Sequence, residues 1–84
     1  IMKIVYFAWV REKIGTNSEI IKLPEDINNI DKLLNFLSLK SPAHKEALSN
    51  KKVLKFSINF QFAEITQKIK NDDEIAIFPP VTGG

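Results

Sequence analysis

Hydrophobic and polar positions change period several times along the chain. Met2-Lys3-Ile4-Val5-Tyr6-Phe7-Ala8 is β-branched and aromatic on both faces, which predicts a central strand covered on each side. Val10 to Ile14 is a short polar break, read as one helical turn closed by Gly15, a residue that reaches positive φ without strain. Ser18 to Leu23 alternates loosely and returns to the sheet, completing a first hairpin. Pro24-Glu25-Asp26 ends it, and Asn29 is placed to cap a helix. From Ile30, apolar residues recur at Leu33, Leu34 and Leu37, with Phe36 one place off the series. That spacing lays one stripe along an amphipathic helix ending near Leu39. Ser41-Pro42 breaks it, and Ala43 to Leu48 forms a second short helix. In Val53 to Ala63, Phe56, Ile58, Phe60 and Phe62 alternate with polar residues, with Asn59 able to turn the run into a hairpin. Asn71-Asp72-Asp73 is a turn, and Glu74 to Phe78 a last strand. Pro79 and Pro80 cannot donate to a ladder, so the sheet releases the chain there.

Hairpins with one packing helix imply an α+β two-layer domain, and the two most apolar strands, first and last, belong in its centre. That arrangement is the β-grasp of ubiquitin: a mixed sheet on one main helix, followed here by a flexible Gly-Gly tail. The 84 residues suit a single domain, 1–84, with little room for an enclosed active site.

Charge and composition narrow the function. The net charge is +2, and Lys51-Lys52 is the only adjacent pair among 12 scattered cations, so no basic stripe marks a nucleic-acid binder. With no cysteine there is no disulfide, thiol nucleophile or Cys-ligated metal. No run is long enough to span a membrane and no leader is evident, so a cytoplasmic location is expected. His44, the sole histidine, reads as a surface helix residue. Asp72, Asp73 and Glu74 lack calcium-loop spacing and read as a solvated charge run. No metal site is expected.

The end of the chain carries the chemistry. Gly83 and Gly84 have no side chains, so an extended tail can thread a channel barely wider than a backbone, and no adjacent Cβ crowds the last carboxylate. Such a terminus suits ATP-dependent adenylation followed by attack of sulfur or an amine. The stiff Pro79-Pro80 exit limits the conformations lost when the tail inserts.

The run Ile77-Phe78-Pro79-Pro80-Val81-Thr82-Gly83-Gly84 resembles the signature tail of the small subunit of molybdopterin synthase. Lys3 to Gly15, with Phe7-Ala8 and then Arg11-Glu12, resembles the same family, as does Asp73-Glu74-Ile75-Ala76. The resemblance implies a sulfur carrier. An activating enzyme uses ATP to adenylate the carboxylate of Gly84, and a sulfur donor converts it to a thiocarboxylate. The tail, Pro79, Pro80, Val81, Thr82 and Gly83 included, then inserts into the large synthase subunit and delivers sulfur to a cyclic pterin phosphate. Two small and two large subunits form a heterotetramer, with catalytic side chains on the large one and no cofactor bound permanently here.

The resemblance also implies that Phe7, Phe62 and Phe78 contact partners and that Arg11 makes a polar contact on the same surface. A strand Phe is ordinarily core and an Arg ordinarily solvated, so both roles stay open for each. The sequence departs from the family at Asn71-Asp72-Asp73-Glu74, where Asp-Gly-Asp-Glu is common, so Asn71 or Asp72 must take the strained turn position. Trp9 replaces a commonly polar residue, as a partner anchor or as a cover for the sheet edge. Carriers serving thiamine or transfer-RNA thiolation, a ubiquitin-like modifier of lysines, and a plain interaction domain remain the alternatives.

Overall fold

The computed structural model describes residues 1–80. In chain order the elements are β1 (Met2–Tyr6), α1 (Ala8–Ile14), β2 (Ser18–Ile21), α2 (Ile30–Ser38), α3 (Pro42–Leu48), a 3-10 turn (Lys51–Val53), β3 (Lys55–Ile58), β4 (Gln61–Ala63) and β5 (Glu74–Phe78). The sheet order is β2-β1-β5-β3-β4. β1 and β5 run parallel at the centre, with Val5 opposite Ala76, and the other pairs are antiparallel. The expected α+β β-grasp is therefore present, with the most apolar strands in the middle.

Period-two alternation divides β1 and β5 between two faces. Met2, Ile4, Tyr6, Ile75 and Ile77 point inward and are buried with Ile30, Leu33, Leu34 and Leu37 of α2 and Ala47 and Leu48 of α3. Val5, Ala76 and Phe78 lie on the other face and are only partly buried. Asn29 caps α2 as expected, its Oδ1 accepting from the Lys32 N–H at 2.8 Å. Ser41 caps α3, with Pro42 in the first turn where the missing N–H costs nothing.

Several boundaries differ from the sequence expectation. β1 stops at Tyr6, and α1 begins at Ala8 and makes nearly two turns rather than one. Gly15 closes it at φ 94°, its N–H donating to the Arg11 carbonyl. Val53 belongs to the 3-10 turn, and β3 starts only at Lys55. At the last turn it is Asp72 that takes positive φ, 77°.

His44 and Asp73 correct the expectation of surface side chains. His44 is buried because its Nε2–H donates to Glu19 Oε2 at 2.7 Å and Ser41 Oγ lies 2.7 Å from its Nδ1. Asp73 is buried because its carboxylate accepts from Asn59 Nδ2, the Lys70 N–H and Lys70 Nζ, each at 2.9 Å. A buried polar group needs such partners.

Candidate functional site

The solvent face of the sheet is hollow because its central residues are small. Val5, Ala76 and Ser57 stand side by side on β1, β5 and β3 and form the floor. Larger side chains rise around them: Phe7 and Trp9 from α1 and the residue before it, and Phe60, Phe62 and Phe78 from the β3-β4 hairpin and β5. Pro79 and Pro80 complete the rim, and the open groove measures about 830 Å³. Among the described residues lining it, Glu74 alone is charged.

Hairpin parity explains why Phe62 faces this groove while Phe56 faces the core. A two-residue turn at Asn59-Phe60 pairs Ile58 with Gln61 and Ser57 with Phe62, so Phe62 shares the outward face of Ser57. Phe62 is 85% exposed and packs on Phe78, their ring centres 6.0 Å apart. Phe7 directly follows β1 and is 47% exposed. Phe7 and Phe62 are exposed and Phe78 is half-buried beside them, and all three line the groove. An aromatic-walled apolar hollow on the solvent face of a sheet is a candidate docking surface.

Trp9 also lines the groove, with Lys13 Nζ lying 5.7 Å from its ring centre one helical turn on. A cation over the indole covers its free face. Arg11, on the exposed side of α1, does not line the groove. Val81, Thr82, Gly83 and Gly84 lie outside the described residues. Phe60 was not singled out from the sequence. Its signal was an aromatic residue placed directly in the turn that Asn59 predicted.

Opposite the groove, on the core face near the β2 edge, one carboxylate gathers several donors. Glu19 Oε2 accepts from the Tyr6 hydroxyl at 2.6 Å and from His44 Nε2, and Lys40 Nζ lies 3.3 Å from Oε1. Burial pushes the Glu19 carboxyl up, but the hydrogen bonds from Tyr6 and His44 and the nearby cation outweigh it and hold it below its ordinary value. Burial and the adjacent Glu19 carboxylate push the Tyr6 phenol well above its usual range. Asp73 behaves like Glu19: burial raises it, the bonds from Lys70 and Asn59 prevail, and its carboxyl is lowered. These clusters tie elements together and do not open on the groove. Among the described residues, no cluster of three or more His, Cys, Asp or Glu is arranged to hold a metal ion.

A five-stranded mixed sheet with helices on one face, and an aromatic-walled apolar hollow on the other, defines a ubiquitin-like β-grasp protein. The chain belongs to the ThiS family, which matches residues 4–84. It is 36% identical over 83 residues to a molybdopterin synthase sulfur carrier subunit from Haemophilus influenzae, covering 99% of each chain. The fold is similar to that of SAMP1 from Haloferax volcanii, with a TM-score of 0.74 at 24% identity over 99% of this chain and 98% of that one. It is also similar to a chain in the complex of subunits 1 and 2 of the molybdopterin-converting factor from Helicobacter pylori, with a TM-score of 0.64 at 23% identity over 99% and 97%.

Proposed function

We propose that this chain is the sulfur carrier subunit of a molybdopterin synthase, with the carboxylate of Gly84 as its working group. The observation that carries this reading is the end-to-end similarity to the Haemophilus influenzae carrier subunit, together with a family match that runs through Gly83 and Gly84. The aromatic groove supports it, because the chain leaves the sheet through Pro79 and Pro80 on the groove's own rim. A partner that takes the tail meets this surface beside it.

The chemistry proceeds in three stages. The Gly84 carboxylate attacks ATP on an activating enzyme and forms an acyl adenylate, releasing pyrophosphate. A sulfur donor displaces AMP and leaves a thiocarboxylate. The charged tail then enters the large synthase subunit, where its sulfur bonds to a cyclic pterin phosphate and water cleaves the acyl carbon–sulfur bond, regenerating the carboxylate. The groove residues Phe7, Phe62 and Phe78 supply docking area, and the two prolines restrict the tail's freedom before it inserts. Catalytic side chains belong to the large subunit, with which this chain assembles as a heterotetramer of two copies of each. In the Helicobacter pylori complex, subunits of these two kinds are found together.

Intact-protein mass spectrometry tests the charging step after incubation with ATP, the host's activating enzyme and a sulfur source. Exchange of one oxygen for sulfur, located at Gly84 by fragmentation, is the expected result. An unchanged mass, with the enzyme active on another carrier, overturns the reading.

A further inference from the structure

Phe60 occupies a turn position that its side chain fits poorly. Asn59 and Phe60 both have positive φ, 49° and 70°, the pattern of a type I′ hairpin turn. Such turns favour Asn followed by Gly, because the second place is strained for a residue with a Cβ and most strained for a bulky one. Asn59 follows that rule. Phe60 breaks it, and its ring, 85% exposed, gains little from the core.

The turn is also pinned, so the strain has little room to relax. The Asn59 N–H donates to the Glu74 carbonyl at 2.8 Å. Asn59 Oδ1 accepts from the Glu74 N–H, and Asn59 Nδ2 donates to buried Asp73, both at 2.9 Å. Strain and exposure both work against the fold here, and strained residues held by their surroundings cluster at functional sites. What the ring does have is a place on the groove, and since Lys55 pairs with Phe78 and Ile58 with Ile75, the turn after Ile58 lies at the end away from Pro79 and Pro80.

We infer that Phe60 is a specificity-determining anchor for the large synthase subunit, which seats an apolar side chain against it at the far end of the groove. The inference rests on the proposed reading that this subunit receives the tail. Continuity of the surface names the occupant. The chain departs toward Gly84 from one end of the groove, so the subunit that holds the tail lies over the same hollow. From Phe78 back to Glu74 is four residue steps, about 13 Å of strand. A footprint that includes Phe60 therefore reaches at least that far from the tail's exit.

The test is calorimetric titration of the large subunit with the full chain and its variants, paired with thermal unfolding of each free carrier. Phe60→Gly and Phe60→Asn both accept positive φ and lack the ring. Each is expected to weaken docking by about tenfold or more, as loss of an aromatic anchor does, with an unfolding midpoint no lower than that of the unaltered chain. Phe60→Tyr is expected to dock within about twofold of the unaltered chain, since it keeps the ring. Docking of both ring-less variants at unaltered affinity, while Phe7→Ala weakens it, overturns the anchor and leaves the carrier reading standing. Loss in Phe60→Gly that Phe60→Asn restores also overturns it, because turn geometry rather than the ring would then be responsible. Failure of the unaltered chain to bind the large subunit at all overturns both readings.

Discussion

At the scale of single residues, exposure separates what stabilises the fold from what serves a partner. Phe62 is 85% exposed, so Phe62→Ala should leave chemical denaturation within about 0.5 kcal/mol of the unaltered chain. Titration with the large subunit should nevertheless show docking weakened severalfold or more. Glu19 shows the opposite case. Its carboxyl is held below its ordinary value of 4.5, so the stability it contributes is fully present above that pH and is lost as pH falls through the lowered value. Asp73 adds to the same acid limb from its ordinary 3.8. The thermal midpoint should therefore fall as pH drops below about 4.5. In Glu19→Gln that fall should be shallower, while at neutral pH the variant should be less stable by about 1–3 kcal/mol, since Tyr6 and His44 lose a charged acceptor. A pH series of melting curves for the two proteins checks both statements. The burial of His44 and Asp73 was not legible in the sequence. His44 is a core histidine only because Glu19, 25 residues away, reaches it, and local polarity around a residue carries no record of so distant a partner.

At the scale of elements, periodicity was the reliable guide and parity its limit. The stripe Ile30, Leu33, Leu34, Leu37 on α2 is fully buried. Leu34→Ala should lower unfolding free energy by about 2–5 kcal/mol in urea titrations, through lost burial and the cavity left behind. Asn29→Ala should cost about 1 kcal/mol, because the Lys32 N–H loses its acceptor. The alternation of Phe56, Ile58, Phe60 and Phe62 correctly predicted a sheet. Read as one strand, it would have set all four on a single face. The two-residue turn at Asn59-Phe60 reverses the chain and sends Phe62 to the side opposite Phe56. The surface role of Phe7 was hidden for a related reason. β1 ends one residue before it, and a strand's end cannot be placed to one residue by composition alone. The tail motif, by contrast, is a run of consecutive residues, and the family match spans it.

At the scale of the whole molecule, the core lies between Met2 and Ile77, upstream of the prolines. Deleting Gly83 and Gly84 should therefore leave the melting curve unchanged within about 0.5 kcal/mol while abolishing sulfur transfer to the pterin. Assaying the two properties on one preparation separates the tail's chemistry from the domain that presents it. The central pairing of β1 with β5 has a consequence for when that chemistry can begin. Register sets Lys3 beside Glu74 and Tyr6 beside Ile77, so the middle of the sheet joins segments about 71 residues apart in the chain. Contacts so distant cannot form until the chain through Ile77 has left the ribosome. The hollow floored by Val5, Ala76 and Ser57 is built across that same seam. A nascent or misfolded chain has no such surface to offer, even if its glycines are free. Under the proposed function, a large subunit that docks on the hollow would thereby take up only folded carriers, and folding itself would be a condition for the terminus to deliver sulfur.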